Sequence, residues 1–289
     1  MKPISRRLIS RLSRVSRAPL GSDWFNRSQD CRSLQTAEFF LRYFFVPLPL
    51  CGSTSRSGRR MNDLHSSLSA PLPPAPTREV HCADAMPWMQ ERGPIAGACA
   101  VTSLPDVSEV GLALPVWRTW FLDAVRRVVA AVPDESAALF FQSDIKREGC
   151  WIDKGALVIR AAEDAGARVL FHKIVCRRPP GMLTMGRPGY THLIAVSRAM
   201  RCPEVLPIPD VITDAGRQPW VRAMGIRAAA HAVRFARDQV GAKIIFDPFC
   251  GVGTVLAVAN AFGLDAIGVE KAKKRSEEAR ALQVMASEL

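Results

Sequence analysis

Between residues 79 and 289, short apolar runs alternate with longer segments in which apolar side chains recur every three or four residues. Short apolar runs are typical of buried strands, and the wider spacing is typical of helices with one buried face. The pattern predicts strands at residues 80–84, 96–101, 137–142, 168–176, 190–197, 244–247 and 266–269. It predicts helices at residues 117–132, 152–165, 255–262 and 272–285, and one more that ends near residue 239.

This alternation predicts an α/β fold with a doubly wound, Rossmann-like sheet. Ligands of such sheets bind beyond the carboxyl ends of the strands. We therefore expect the loops at residues 102–109, 143–151 and 177–189 to lie on one rim, next to the turn that follows the strand at 244–247.

Two segments near the end of the chain together form the most informative motif in the sequence. Residues 243–254 read KIIFDPFCGVGT, and residues 265–270 read DAIGVE. This is the order of strand, glycine turn, helix, strand and acid. Such a turn lets backbone approach a ligand at a helix N-terminus, while Glu270 at the next strand end can hold a ribose diol. A nucleoside cofactor is implied.

The glycine spacing argues against a dinucleotide as the cofactor. The dinucleotide fingerprint requires a third glycine for close helix packing, and Leu256 occupies that position. The plain alternative is an ordinary strand–turn–helix connection that binds no cofactor.

The string DPFCGVGT closely resembles the first motif of class I S-adenosylmethionine-dependent methyltransferases, especially the nucleic-acid enzymes that carry D-P-F-x-G-x-G-T. The resemblance implies that S-adenosyl-L-methionine is the cofactor and that Glu270 binds its ribose hydroxyls. Asp247, Gly251 and Gly253 are expected around its methionine part. The implied motif residues together are Asp247, Pro248, Phe249, Gly251, Gly253 and Thr254.

The cofactor motif comes last in the chain, so upstream strands must complete the sheet. This order is similar to that of the circularly permuted amino-methyltransferases of DNA and RNA, and the resemblance covers residues 79–289. It implies that Asp84 lies near the adenine amino group of the cofactor. The alternative for Asp84 is a helix N-cap.

The same resemblance identifies a catalytic loop that departs from the family pattern. Where the family has T-S-P-P-Y, this chain has Thr102, Ser103, Leu104, Pro105 and Asp106. The Ser103 side chain and the Leu104 carbonyl can still accept hydrogen bonds from an amino group, but the aromatic ring that stacks on a flipped base is lost. Asp106 in its place is an acceptor or general base. That chemistry admits guanine, cytosine, uracil or adenine nitrogens, and it also admits a domain that has lost activity.

Basic and aromatic residues are frequent in the other loops of the expected rim. A basic loop with aromatic rings is suited to a base and its flanking phosphates. The alternative is a solvated basic surface. The candidate substrate-binding residues are Lys146, Arg147, Trp151, Arg177 and Arg178.

Charge is distributed unevenly along the 289 residues. Residues 1–60 hold twelve lysines and arginines and three acids, a net charge of +9, and residues 61–289 hold the remaining +3 of the total of +12. The predicted catalytic domain is nearly balanced, so a broad basic face for nonspecific nucleic-acid binding is not supported.

The first 22 residues are rich in arginine and serine, contain no acid and place apolar residues at helical spacing. We expect a basic leader at residues 1–60 and a disordered linker at 61–78. A mitochondrial presequence that delivers the protein to the matrix is one interpretation. The others are a translated upstream segment, with Met61 as the true start and a cytoplasmic or nuclear protein, and a basic nucleic-acid arm.

Two further patterns in the sequence concern cysteine-based sites and membrane spans, and both predict that these features are absent. The eight cysteines are scattered without a C-x-x-C pair, so neither a metal site nor a disulfide framework is indicated. The apolar run at residues 39–50 is short and is interrupted by Arg42 and two prolines, so we expect no membrane span.

The sequence thus favours a methyltransferase acting on a nucleobase nitrogen, in RNA rather than DNA. The preference for RNA rests on the leader and on the lack of an inserted segment large enough to read a DNA sequence. A methyltransferase-like structural protein that binds RNA or a ribonucleoprotein, and a methyltransferase for a protein or small molecule, are the alternatives. The oligomeric state is left open.

Overall fold

The computed structural model describes residues 74–289. The predicted leader at residues 1–60 and residues 61–73 of the predicted linker lie outside the described part. Strand β1 begins at Arg78. No helix in the described part is both long and apolar enough to cross a membrane. Its six cysteines are all free thiols.

Ten strands and seven helices follow one another in the described residues. The strands are β1 Arg78–His81, β2 Ala98–Thr102, β3 Ala138–Gln142, β4 Ile145–Arg147, β5 Cys150–Ile152, β6 Arg168–Cys176, β7 Tyr190–Ser197, β8 Val211–Ile212, β9 Ile244–Asp247 and β10 Asp265–Val269. The helices are α1 Ala85–Arg92, α2 Val107–Val110, α3 Leu114–Ala130, α4 Lys154–Asp164, α5 Ile226–Asp238, α6 Thr254–Ala261 and α7 Lys273–Ala281.

Eight of the strands form one mostly parallel sheet in the order β1-β10-β9-β2-β3-β7-β6-β8. The last two strands in the chain, β9 and β10, lie inside the sheet between the first two, and all of these pairs are parallel. The hairpin β6–β7 joins β3 antiparallel. The five parallel strands β1, β10, β9, β2 and β3 therefore present their carboxyl ends at one edge.

Apolar side chains bury both faces of this sheet. On β2, Cys99 and Val101 pack toward α5 and α6, whereas Ala98 and Ala100 pack toward α1, α3 and α4. The period of two in the strands and the apolar stripes of the helices explain this three-layer arrangement. Burial on both faces anchors the central strand ends, from which the site is built.

The structure corrects four expectations. The segment at 143–151, predicted to be a loop, contains the hairpin β4–β5. The short helix α2 occupies much of the loop predicted at 102–109, and β8 was not predicted at all. The last helix ends at Ala281 rather than near residue 285, because the backbone at Leu282 becomes extended, with a ψ of 129°, and the following residues pack Val284 and Leu289 against the core. The hairpin β4–β5, the helix α2 and the strand β8 are too short to produce a periodic signal in the sequence.

The turn between β9 and α6 contains a close approach of two backbones. Gly253 has a φ of 80°, and a Cβ atom there would lie 2.8 Å from both Cα and Cβ of Ala279 in α7. Gly251 also has a positive φ, of 54°, but a Cβ atom there would meet nothing within 4 Å. The absence of a Cβ atom at Gly253 therefore allows α7 to pack against the turn. At Gly251, glycine is needed only because the backbone adopts a positive φ.

We expect Gly253→Ala to destabilise the protein more than Gly251→Ala. Both changes impose a positive φ on alanine, at about 1–2 kcal/mol, but only Gly253→Ala also pushes α7 away, which adds about 1–3 kcal/mol. Urea denaturation followed by circular dichroism measures both variants. Equal losses of unfolding free energy would contradict the packing role of Gly253.

Candidate functional site

Asp247 ends β9 at the centre of the sheet edge and is buried, with 4% of its surface exposed. Its Oδ1 atom accepts a hydrogen bond of 2.6 Å from the Thr102 hydroxyl at the end of β2, and one of 3.1 Å from the Phe249 N–H. The pKa of Asp247 is raised to about 7, chiefly by burial and to a smaller extent by the nearby carboxylate of Glu270, and these two hydrogen bonds oppose the rise. The carboxyl group of Asp247 is thus buried at the middle of the sheet edge, and it is hydrogen-bonded there.

The turn after Asp247 leads directly into α6. The Oγ1 atom of Thr254, the first residue of α6, is buried and has no hydrogen-bond partner among the described residues. A buried hydroxyl without a partner at a helix N-terminus is suited to an anionic or polar ligand group.

Glu270 follows β10 and is also buried, with 8% of its surface exposed. Its Oε1 atom accepts hydrogen bonds of 2.7 Å from the Ala272 N–H, and of 3.1 and 2.9 Å from the Arg275 guanidinium. Its Oε2 atom makes no hydrogen bond within the described part of the chain. Glu270 is therefore held in place through one oxygen while the other remains open to a donor such as a hydroxyl group.

Asp84 occupies the corresponding place after β1. It caps α1 through a 3.1 Å hydrogen bond from the Met86 N–H, and its other oxygen accepts one of 3.0 Å from Lys271. Burial alone would raise the pKa of Asp84, but the Lys271 ammonium and the Met86 N–H outweigh it, and the net shift is downward. The N-cap role that the sequence offered for Asp84 is present, and its side chain also borders the cavity described next.

A cavity of about 460 Å³ lies between these strand ends. Asp84, Asp247, Gly251, Thr254 and Glu270 line it, and Gly253 does not. Pro248 and Phe249 also line this first cavity, and the Phe249 ring packs edge-on against Trp120 at 5.9 Å between centroids. Its volume falls within the range of about 300–1,000 Å³ that is usual for small-molecule sites.

The loop after β2 forms the wall opposite the turn. Ser103 is exposed, whereas the Leu104 side chain is buried and anchors the loop. The Pro105 carbonyl accepts a 3.4 Å hydrogen bond from the Trp117 indole. Asp106 caps α2 through its Oδ1 atom, which accepts hydrogen bonds from the Ser108 N–H and hydroxyl, and its Oδ2 atom makes none within residues 74–289. The loop is therefore held from both ends with Ser103 facing outward.

A second cavity, of about 180 Å³, lies on the other side of this loop. The structure brings Lys146, Arg147 and Arg177 to its lining, together with Asp106. Trp151 and Arg178 do not line it. Trp151 is 52% exposed, and its ring lies 5.9 Å from the Lys146 ammonium. Both cavities contain charges of both signs, but the second has more cations, whereas three acidic strand ends, Asp84, Asp247 and Glu270, border the first.

The two cavities meet. Six residues line both of them: Ser103, Leu104, Glu109, Arg222, Ala223 and Met224. A ligand in the first cavity and one in the second would therefore face each other across the loop at Ser103 and Leu104. Such an arrangement suits the transfer of a group from one bound molecule to another.

Several lining residues were not identified from the sequence. Trp220 and Arg275 border the first cavity, with the Arg275 guanidinium 5.8 Å from the Trp220 ring centroid, and Lys154 borders the second. Trp220 lies in an irregular segment without periodicity, and Arg275 is one of many charges in α7. For Lys154, the aspartate before it was a usable signal, because Asp153 is the N-cap of an apolar helix and places the next residue at its first turn.

No family model matches this chain, and no curated protein matches its sequence. Its fold, however, is similar to those of solved structures. One is a candidate DNA modification methylase from Thermus thermophilus in complex with S-adenosyl-L-methionine, with 18% identity, 71% of this chain and 92% of that chain covered, and a TM-score of 0.55.

Two further solved structures are similar in fold to this chain. The PvuII DNA methyltransferase, specific for cytosine N4, has 13% identity, covers 74% of this chain and 91% of its own, and gives a TM-score of 0.58. The complex of M1.HpyAVI with S-adenosylmethionine has 15% identity, covers 71% and 98%, and gives a TM-score of 0.52. The predicted α/β fold is thereby confirmed: this chain has the Rossmann-like fold seen in these methyltransferase structures.

The raised pKa of Asp247 predicts how stability depends on pH. In the unfolded chain this carboxyl group loses its proton near pH 4, but in the folded protein it does so only near pH 7. The buried charge therefore reduces stability progressively as the pH rises from about 4 to 7. Asp247→Asn keeps an oxygen that accepts both hydrogen bonds, so we expect it to be more stable than the wild type above pH 7, by on the order of 2–4 kcal/mol.

Urea denaturation at pH 4.5 and pH 8 measures this difference, which should fall to about 1 kcal/mol at the lower pH. Asp265→Asn is a matched control on the neighbouring strand. Hydrogen bonds from Thr77 lower the pKa of Asp265, so its replacement should not stabilise the protein at either pH. A stability gain for Asp247→Asn that is the same at both pH values would contradict the prediction.

Proposed function

We propose that the protein is an S-adenosylmethionine-dependent methyltransferase that acts on a nucleobase nitrogen in RNA. One observation carries the proposal: at Ser103 and Leu104, a first cavity with three acidic strand ends meets a second cavity that contains several cations and the carboxylate of Asp106. The first cavity suits a nucleoside cofactor, and the second suits a base attached to phosphates.

The residues of the first cavity fit S-adenosyl-L-methionine. The free Oε2 atom of Glu270 is suited to the ribose hydroxyls, and the unpartnered hydroxyl of Thr254 lies at the N-terminus of α6, where a carboxylate is favoured. Asp247 supplies negative charge for an ammonium group. Asp84 stands at the strand end beyond Glu270, in reach of the adenine side of the same cavity.

The similar structures support this cofactor, because two of them are complexes with S-adenosyl-L-methionine. We also propose that the chain has the circularly permuted order of the amino-methyltransferases, since β9, the cofactor turn and β10 come last in sequence but lie inside the sheet.

When bound, S-adenosylmethionine supplies a methyl group attached to a positively charged sulfur. The chain's own part is to hold the accepting nitrogen against that methyl group. Ser103 lines both cavities, and its hydroxyl makes no hydrogen bond within the described residues, so it is free to accept one from an amino group. The Leu104 carbonyl is the second acceptor. Two acceptors at one amino group direct its lone pair toward the methyl.

We further propose that Asp106 receives the proton that the methylated nitrogen loses. Its Oδ1 atom is engaged in capping α2, which fixes the carboxylate, while its Oδ2 atom is free and the residue lines the second cavity. A fixed carboxylate with one free oxygen is suited to general base catalysis. Lys146, Arg147 and Arg177 are the proposed partners of the substrate backbone.

The proposal of RNA rests on two features. Residues 1–22 have the composition of a mitochondrial presequence, and the mitochondrial matrix is the compartment we propose. In addition, the segment after β3 is the short hairpin β4–β5, and we infer that no segment of residues 74–289 is large enough to read a DNA duplex. The similar structures are named as DNA enzymes, so every assay must include matched DNA.

The cofactor site is tested by calorimetric titration of S-adenosyl-L-methionine into the wild-type protein and into Glu270→Ala. We expect binding by the wild type and a loss of about 1–3 kcal/mol in the variant, because charge-assisted hydrogen bonds are removed. Asp265→Ala, which removes an acid from the opposite end of the same strand, should bind as the wild type does. Absence of binding by the folded wild-type protein would contradict the proposed function.

The role of Asp106 is tested by transfer of labelled methyl groups to total RNA. We expect Asp106→Asn to bind S-adenosyl-L-methionine normally but to lose methyl transfer by about 100-fold or more, since asparagine still caps α2 but cannot take up a proton. Asp153→Asn changes the N-cap aspartate of α4 and should retain activity. Full turnover by Asp106→Asn would refute its catalytic role.

The label itself identifies the substrate class. Label that ribonuclease removes supports RNA, label that deoxyribonuclease removes would replace RNA by DNA, and label that only protease removes would indicate a protein substrate.

A further inference from the structure

Lys154 is the most deeply buried cation that lines the second cavity. It is the first residue of α4, and 4% of its surface is exposed. Its ammonium lies 6.0 Å from the centroid of the Phe121 ring. No carboxylate in the described part of the chain lies within 4.0 Å of this ammonium, and it donates no hydrogen bond there.

This position is unfavourable for a lysine in three ways. The side chain is almost wholly buried, its ammonium lacks a counter-ion, and the residue stands at the N-terminus of a helix, where the helix dipole repels a positive charge. The pKa of Lys154 is lowered to about 8, chiefly by burial and to a smaller extent by Arg177, and Asp106, Glu109 and Asp144 oppose this shift. A fully apolar side chain would suit the fold better, so the fold alone does not account for the lysine.

Asp144 is near Lys154 but is already engaged. Its Oδ1 atom accepts a 2.9 Å hydrogen bond from the Lys154 backbone N–H, and both of its oxygens lie 3.1 Å from the His192 Nε2 atom. The Tyr190 hydroxyl also donates to it, at 3.4 Å. The other ring nitrogen of His192 pairs with His172 at 2.9 Å, which fixes the imidazole. The carboxylate is thus satisfied without the lysine ammonium.

The other two nearby acids are engaged as well. Glu109 forms a 2.8 Å ion pair with Arg222 through one oxygen and accepts a 2.9 Å hydrogen bond from the Asp106 N–H through the other. Asp106 caps α2. The three acids lower the electrostatic cost of the ammonium from a distance, and none of them binds it. Its donors are left for a ligand in the second cavity.

We propose that Lys154 is a specificity-determining residue that donates a hydrogen bond to a carbonyl oxygen of the target base. An ammonium group has three donors and no acceptor, so it selects an acceptor on the ligand. Guanine, cytosine and uracil carry such an oxygen, whereas adenine has none and presents an amino group, itself a donor, on the same edge. The inference rests on the proposed function and narrows its substrate to a base with a carbonyl group.

Fluorescence anisotropy with labelled ten-nucleotide RNAs of cytidine, uridine or adenosine tests this on the full chain. The three RNAs have the same phosphates, so a difference between them reports on the base. We expect the wild type to bind the cytidine and uridine RNAs about tenfold more tightly than the adenosine RNA, as a charge-assisted hydrogen bond predicts. Lys154→Met should bind all three within about twofold of one another.

Lys173→Met is the matched control. Lys173 is also buried, and its ammonium likewise lies 6.0 Å from a phenylalanine ring centroid, but it is ion-paired with Asp210 and does not line the second cavity. This variant should keep the preference of the wild type. Lys154→Gln provides a second neutral variant, and thermal denaturation should show that neither change at Lys154 lowers the melting temperature.

A wild-type protein without base preference, or a Lys154→Met variant that retains it, overturns the proposal, and so does a lower melting temperature in both Lys154 variants. The proposed function is judged separately by cofactor binding and methyl transfer. If those succeed while the base preference fails, only the role of Lys154 is refuted. If no RNA binds and no cofactor binds, both proposals fail.

Discussion

The hydrogen bond between the Thr102 hydroxyl and the buried Asp247 carboxyl group joins two central strands at the edge where the site is built. Its position follows from the parallel sheet, because the carboxyl ends of β1, β10, β9, β2 and β3 meet at one edge. The turn after Asp247 and the loop after Thr102 are therefore fixed relative to each other by well-buried strands. Both cavities depend on this connection, since the two segments form facing walls of the first cavity and the second lies behind the Thr102 loop.

Three acidic strand ends lie at the first cavity, and the second cavity has more cations than the first. Asp84, Asp247 and Glu270 border the first cavity, and each carboxylate is positioned by at least one backbone N–H. Lys146, Arg147, Arg177 and the deeply buried Lys154 border the second. The loop at Ser103 and Leu104 lies between these two groups of charged side chains. Asp106, which replaces the expected aromatic residue, has both a structural contact with α2 and a free oxygen, so the capping role and the proposed catalytic role are compatible.

Parts of the structure with strong periodicity were predicted well. The strands β3, β6, β7, β9 and β10 and the helix α6 agree with their predicted ranges to within one residue or so, because each is a mainly apolar segment between clear turn signals. The hairpin β4–β5, the helix α2 and the strand β8 were missed. They are only two to four residues long, so their formation depends on where the sheet places them and not on a local pattern.

The sequence by itself determined the α/β class of the fold and drew attention to the turn at Asp247 and to Glu270, because glycine spacing and strand-end acids are local features that a linear pattern records. Only the tertiary structure decided which loops meet. It showed that Gly253 packs against α7 and does not line the cavity, that Trp151 and Arg178 lie away from the second cavity, and that Lys154 lies inside it without a counter-ion. The physical reason is that burial, pairing and charge neutralisation depend on residues far apart in the chain, whose proximity is created by the packing of the sheet and its two helix layers.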